Sequence, residues 1–182
     1  MEIICFGDSI TRGYDVPYGC GWVEICDASI EGVNFTNYGV DGCSVQAMIY
    51  NIENWAVTAV SDPTCHIFLM CGTNDILQGR DSAYVFKTLV KAIELASTKG
   101  KVIIGLETQI NSDMDGLDLV VRDVNEQLKA YAEAHDIKVI DFYTTLFEAD
   151  QIGQIVFAGE VHPNELGYRL MAYKALEVFT RL

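Results

Sequence analysis

Five short hydrophobic runs recur along the 182-residue chain, and none alternates regularly between apolar and polar positions. Nearly continuous runs of this kind are typical of strands that helices cover on both faces, because both sides of such a strand are buried. The pattern therefore predicts the five strands of a parallel sheet. The runs span Glu2–Phe6, Val33–Tyr38, Cys65–Cys71, Lys101–Glu107 and Lys138–Phe142.

Between the runs, apolar residues recur every three to four positions, which is the spacing of one face of a helix. Strand and helix thus alternate, and this succession predicts an α/β fold: a three-layer α/β/α sandwich around the five-stranded parallel sheet. No repeat or flexible linker interrupts it, so we predict a single domain over residues 1–182. The predicted helices span Trp22–Ile30, Ser44–Val60, Ser82–Ser97, Leu117–His135 and Glu165–Arg181.

Composition narrows the choice of partners. Twelve basic against 26 acidic residues give a net charge of -14, which repels phosphate backbones and anionic membranes. We therefore expect no nucleic acid and no membrane partner. Such acidity is also common on solvated surfaces and says little about the substrate. We expect a small-molecule substrate, and the oligomeric state stays open. The six cysteines form no CxxC pair and no Cys/His cluster, so we expect no metal ion and no cofactor. Reduced thiols and the lack of a signal-like amino terminus predict cytoplasmic localisation.

Polar residues follow four of the predicted strands. In an open parallel sheet the ligand lies beyond the carboxyl ends of the strands, where the strand order reverses, so these residues are the first candidates for a site. They are Gly7-Asp8-Ser9, the segment 39–42, Gly72-Thr73-Asn74-Asp75 and the loop 109–115.

A serine hydroxyl on the first of these turns is a candidate nucleophile, and it needs a base within hydrogen-bond reach. Of the three histidines, His66 lies in an apolar strand and His135 ends a helix, where a cation suits the helix dipole. His162 instead stands in a loop before the last helix, and we predict it as the base for Ser9. Gly42, Asn74 and the Ser9 amide are candidate donors to an oxyanion.

These segments resemble, in chain order, the conserved blocks of the GDSL/SGNH hydrolases. The blocks are Gly7-Asp8-Ser9-Ile10, Asn37-Tyr-Gly-Val-Asp-Gly42, Gly72-Thr73-Asn74-Asp75 and His162-Pro163-Asn164. The resemblance covers the whole chain and implies a flavodoxin-like sheet. It also implies that Ser9 is the nucleophile and His162 the general base, and that Gly42 and Asn74 form the oxyanion hole with the Ser9 amide.

One position departs from the family pattern. The family usually has an aspartate three residues before the histidine, where this chain has Gly159. Such an acid orients the histidine and stabilises its cation. Glu160 is the candidate replacement, with Asp141 or a backbone carbonyl as alternatives.

The constellation predicts a serine hydrolase that cleaves carboxylic esters through an acyl-serine intermediate. The expected substrates are short-chain or acetyl esters, thioesters or acetylated carbohydrate. Because Gly159 replaces an acid, a catalytically weakened binding module is the alternative, and the resemblance also covers acyltransferases. A nucleotide or phosphate binder suits the fold but lacks the phosphate-binding loop.

Several neighbouring side chains allow two interpretations. Asp8 and Asp75 are interpreted as structural, since carboxylates in tight turns accept backbone N–H bonds. Arg12, Tyr14, Tyr18 and Trp22 either line the pocket for the acyl or alcohol part of the substrate or pack in the core.

Overall fold

A computed structural model describes residues 1–62, 64–111 and 116–182, and within them the predicted sheet is confirmed. Its strands are β1 (Glu2–Gly7), β2 (Asn34–Gly39), β3 (His66–Met70), β4 (Lys101–Leu106) and β5 (Lys138–Asp141). They are all parallel and lie in the order β2-β1-β3-β4-β5. The chain changes direction across the sheet between β1 and β3, so a cleft opens where these two strands end.

Helices cover both faces of the sheet, as a three-layer sandwich requires. Several begin at a side-chain cap: Ser44, Asp81 and Asn164 each accept a hydrogen bond from a backbone N–H of the first turn. The helices are α1 (Ser9–Arg12), α2 (Trp22–Ser29), α3 (Val45–Thr58), α4 (Thr73–Leu77), α5 (Ser82–Ser97), α6 (Leu117–Ala134), α7 (Phe142–Gln151) and α8 (Glu165–Phe179).

Two hydrophobic cores lie on opposite faces of the sheet. Successive residues of β3 alternate between them: Ile67 and Leu69 pack in the core with α3, α5 and α6, and Phe68 and Met70 pack in the core with α2, α7 and α8. All five residues of this strand are buried. This two-sided burial explains why the strand appears in the sequence as a continuous apolar run.

Three elements differ from the predictions. The helices α1, α4 and α7 were not predicted, and the first two have only four and five residues. Phe142, predicted to end the fifth strand, instead begins α7, because the Asp141 carboxylate caps that helix by accepting from Thr144 N at 2.8 Å. Of the predicted polar loop 109–115, residues 112–115 lie outside the described residues.

Candidate functional site

Ser9 and His162 meet at the carboxyl ends of the strands. The distance from Ser9 Oγ to His162 Nε2 is 2.9 Å, although 153 positions separate the two residues in the chain. Ser9 begins α1 directly after β1, and His162 stands two residues before Asn164, the cap of α8. Regular elements thus hold both side chains in hydrogen-bond contact, which is the geometry of a nucleophile and its base.

The turn that carries Ser9 is closely packed. Asp8 caps α1, with its Oδ1 accepting from Ile10 N at 2.9 Å. A Cβ on Gly7 would lie 2.1 Å from Thr11 Oγ1 and 2.5 Å from the Met70 carbonyl oxygen, so only glycine fits between these groups. The structural interpretation of Asp8 agrees with this geometry, since its carboxylate fixes the turn.

The predicted oxyanion donors Gly42 and Asn74 are linked to each other through Cys43. Asn74 Nδ2 donates to the Cys43 carbonyl at 3.1 Å, and its second hydrogen stays available for a ligand. Gly42 has φ +71° in a turn closed by a 3.1 Å bond from Cys43 N to Val40 O. Within the described residues, the N–H groups of Ser9 and Gly42 have no protein acceptor. Three donors are thus available near one edge of the sheet.

Charges around His162 act against the effect of its burial. Burial lowers the pKa of the His162 imidazole, while the carboxylates of Asp15 and Asp41 raise it. Tyr14 packs its ring against the imidazole with 4.5 Å between ring centroids. The neutral imidazole, which can accept a proton, is therefore favoured by burial, and the cation that follows is favoured by two nearby acids.

No described residue forms a hydrogen bond with Nδ1 of His162. The side chain of Glu160 is exposed and makes no such bond, although its backbone carbonyl accepts from Asn111 N at 2.7 Å. Its role as the orienting acid stays a prediction. The alternative, Asp141, is engaged elsewhere: it caps α7 and forms an ion pair with Lys129.

Three carboxyl groups are buried beneath the site. Glu107 Oε2 accepts from Thr73 Oγ1 at 2.7 Å, and Asp75 Oδ2 accepts from Val45 N at 2.8 Å. Burial raises the pKa of Asp8, Asp75 and Glu107, and the charges of neighbouring acids raise the pKa of Asp8 and Glu107 further. Glu107 and Asp75 hold the start of α4, and with it Asn74, against the sheet and α3.

The other aromatic and basic candidates separate into two groups. Arg12 forms an ion pair with Asp41 on the surface. With Tyr14 and Tyr18 it lines a cavity of about 590 Å³ next to the site. Trp22 is completely buried in the core with α2, α7 and α8, so the packing interpretation is the correct one for this residue.

Sequence reasoning missed Asp15, Asp41 and Glu107. Asp15 lies in a loop, where acidic residues are common and no spacing marks it. Asp41 lies in the predicted segment 39–42, but nothing in that segment links its charge to His162. Glu107 had a signal: it is a charged residue that ends an apolar run, and a buried carboxyl at a strand end often belongs to a site.

Two further observations concern the part of the chain that the structure describes. No group of three or more His, Cys, Asp or Glu side chains there is arranged to hold a metal ion. No helix there has both the length and the apolar character needed to cross a bilayer.

The fold and the Ser9–His162 pair together define a three-layer α/β/α hydrolase. The model of the GDSL-like Lipase/Acylhydrolase family matches residues 5–170, and the chain belongs to this family. It is accordingly an ester hydrolase of the GDSL type, as the sequence blocks predict.

Solved structures agree with this assignment. A member of the lipolytic protein G-D-S-L family from Veillonella parvula DSM 2008 is 92% identical over 100% of both chains, with a TM-score of 0.99. A lipase/acylhydrolase from Enterococcus faecalis is 24% identical (100% of this chain, 96% of that one, TM-score 0.79). Axe2, an acetylxylan esterase from Geobacillus stearothermophilus, is 18% identical (97% and 92%, TM-score 0.76). The last two support the fold alone. No curated protein matches the chain.

Proposed function

We propose that the protein hydrolyses short-chain or acetyl esters through an acyl-serine intermediate, with Ser9 as nucleophile and His162 as general base. The observation that carries the proposal is the 2.9 Å contact between Ser9 Oγ and His162 Nε2. A serine hydroxyl is a weak nucleophile unless an adjacent base removes its proton, and this contact supplies the base.

In the first half of the reaction, Ser9 Oγ attacks the ester carbonyl carbon while its proton passes to His162 Nε2. The carbonyl oxygen becomes an oxyanion, which accepts hydrogen bonds from the Ser9 and Gly42 amides and from Asn74 Nδ2. When this intermediate collapses, the bond to the alcohol oxygen breaks and the His162 cation protonates the leaving alcohol. The acyl group stays on Ser9.

Water completes the cycle. His162, neutral again, removes a proton from a water molecule whose oxygen attacks the acyl carbon, and the second oxyanion uses the same donors. Its collapse releases the carboxylic acid and returns the proton to Ser9 Oγ. The charges of Asp15 and Asp41 stabilise the His162 cation in both halves.

The surroundings of the site support a substrate with a polar, uncharged alcohol part. The charges of Asp15 and Asp41 act on His162, Arg12 pairs with Asp41, and the net charge of -14 disfavours anionic substrates. The substrate class therefore includes acetylated carbohydrate. Small thioesters fit the same mechanism.

The test is hydrolysis of p-nitrophenyl acetate by the wild type and by Ser9→Ala. Loss of the nucleophile lowers kcat by about 10³-fold or more, because the acyl-enzyme route is closed. Ser97→Ala is the matched control: it removes a hydroxyl that bonds the Ile93 carbonyl within α5 and leaves the rate unchanged. Equal rates for the wild type and Ser9→Ala would refute the assignment.

A second measurement separates the alternatives. A fluorophosphonate probe labels Ser9 covalently if His162 activates it, and a folded wild type that takes up no label would indicate a weakened binding module. Adding an alcohol acceptor tests for acyl transfer: the ester of the added alcohol forms at the expense of acetate only if the acyl-serine prefers that acceptor to water.

A further inference from the structure

A groove of about 500 Å³ lies between α3 and the open edge of the sheet. One side is the end of β2 together with Val40, and β2 has no further strand beside it within the described residues. The other side is formed by Asn51, Asn54, Trp55 and Thr58 of α3. None of the described residues that line the groove carries a charge, although the chain has 38 charged side chains, of which 12 are Lys or Arg and 26 are Asp or Glu.

The α3 side of the groove is a single polar and aromatic stripe. Its four residues are spaced at i, i+3, i+4 and i+7, so they share one face of the helix. The side-chain amides of Asn51 and Asn54 make no hydrogen bond with any described residue, and both stay partly accessible. Asparagine is a poorer helix former than alanine or glutamate. Two asparagines within one turn are therefore unfavourable for α3 itself, which suggests that they serve a ligand.

The groove also presents an aromatic face. Tyr38 stacks on Phe6 with 5.2 Å between ring centroids and 13° between ring planes, yet it is 42% exposed. Phe6 thus covers one face of its ring, and the side chain is otherwise partly exposed. Trp55 meets Phe6 edge-on at 5.6 Å and is half-buried. Partly exposed aromatic rings beside unbonded amides suit a ligand with C–H faces and many hydroxyls.

We propose that this groove binds the uncharged sugar rings of an oligosaccharide while its acylated unit reaches Ser9. The groove ends beside the catalytic site. Val40, at the end of the groove, donates its N–H to the Gly7 carbonyl at 3.1 Å. Gly7 stands two positions before Ser9, and Val40 stands two positions before Gly42. The groove offers no ion-pair partner, and the net charge of the chain repels acidic glycans. The proposal deepens the proposed ester hydrolysis and rests on it for the cleavage step only.

Binding is tested on the full chain carrying Ser9→Ala, so that no turnover occurs, by calorimetric titration with xylohexaose and with cellohexaose. The expected result is saturable binding of at least one of them. Adding Asn51→Ala and Asn54→Ala weakens that binding about tenfold or more, because the side-chain amides that hydrogen-bond the sugar hydroxyls are lost. Alanine favours the helix, so this variant is expected to fold.

Tyr50→Ala in the same background is the control, since Tyr50 is a 63% exposed aromatic residue of α3 that does not line the groove. It retains the parent affinity. Failure of both oligosaccharides to bind, or equal affinity after the two asparagine substitutions, would overturn the proposal.

The proposal and the proposed function fail separately. Oligosaccharide binding by Ser9→Ala together with an inactive wild type would refute ester hydrolysis and support binding in the groove. Hydrolysis of p-nitrophenyl acetate without oligosaccharide binding would support ester hydrolysis and refute binding in the groove. If both hold, the asparagine substitutions raise KM for an acetylated xylo-oligosaccharide, and Tyr50→Ala does not.

Discussion

At the scale of single residues, the imidazole of His162 has two opposed requirements. In the proposed mechanism it has to be neutral to accept the Ser9 proton and cationic once it has done so. Burial lowers its pKa and favours the neutral form, and Asp15 and Asp41 oppose that effect. These acids act through charge rather than through a hydrogen bond to the ring, so salt screens their effect.

Replacing these acids is expected to shift the pH dependence of activity. In the wild type the pKa of His162 lies below the ordinary histidine value of 6.5, so the base stays neutral down to a lower pH. The acid limb of kcat/KM therefore lies below pH 6.5. Asp15→Asn or Asp41→Asn lowers this pKa further, moves the limb to lower pH and reduces kcat about two- to fivefold, as expected for exposed charges. Asparagine tolerates the φ of +65° at position 15.

The measurement is the pH–rate profile for p-nitrophenyl acetate at low and high salt. Glu133→Gln, an exposed substitution on α6, removes the same charge away from His162 and leaves the limb in place. A limb that does not move in either aspartate variant would show that these charges do not act on His162.

The two kinds of residue at the site differed in how well the sequence predicts them. Ser9 and His162 stand out because each is a chemically reactive residue at the end of an element, inside a short block. Asp15 and Asp41 act through space on His162, which is more than 100 positions away in the chain. A local sequence pattern carries no information on such a contact. Only the folded chain brings them together.

At the scale of elements, the connection between α7 and α8 is a fixed frame around His162. Phe157 and Pro163 form an antiparallel bridge, and Ala158 N donates to the His162 carbonyl at 2.9 Å. Gly159 lies at the turn of this frame. A Cβ built there meets no atom within 4 Å, and its φ lies outside the left-handed region, so a larger side chain fits without strain.

Gly159→Asp is therefore expected to supply the acid that the family usually has at this position. A carboxylate near the imidazole raises the pKa of His162 and stabilises its cation in the transition state, so kcat rises about tenfold or more and the acid limb moves to higher pH. The control is Ala158→Asp, which adds the same charge one residue earlier. Equal kinetics for both variants would mean that position 159 does not reach the imidazole.

The strands and five of the described helices followed from the sequence, whereas α1, α4 and α7 did not. The strands appear as continuous apolar runs, and the helices α2, α3, α5, α6 and α8 repeat their hydrophobic period over enough residues to be recognised. By contrast, α1 and α4 are shorter than two turns, so no period develops in them. The helix α7 follows β5 directly, and the cap at Asp141, not the hydrophobic pattern, sets the boundary between them.

At the scale of the whole molecule, the crossover topology creates the site. The turns after β1, β2 and β3 supply Ser9, Gly42 and Asn74, and these strands are neighbours in the sheet. The sequence order alone predicts that the strand ends meet, since parallel strands end at one edge. Cytoplasmic localisation stays a prediction, with which the six free cysteines are compatible.

The packing of these strand ends also buries carboxyl groups beneath the site. Their burial makes the free energy of unfolding depend on pH. The folded-state pKa of Glu107 lies well above the ordinary 4.5 of the unfolded chain, through burial and the charge of Asp8. The stability that this group contributes is thus fully present below pH 4.5 and is lost as pH rises through the folded-state pKa. The wild type is expected to lose stability progressively as pH rises above 4.5.

Glu107→Gln removes this loss because glutamine cannot ionise, while its amide oxygen still accepts from Thr73 Oγ1. Thermal unfolding at pH 5 and pH 8 measures the effect: the fall in Tm between these values is smaller in the variant by about 4 °C, which corresponds to about 2 kcal/mol for a chain of this size. Glu148→Gln, an exposed change on α7, keeps the wild-type fall. Parallel Tm curves for the wild type and Glu107→Gln would show that Glu107 ionises at its ordinary pKa despite its burial.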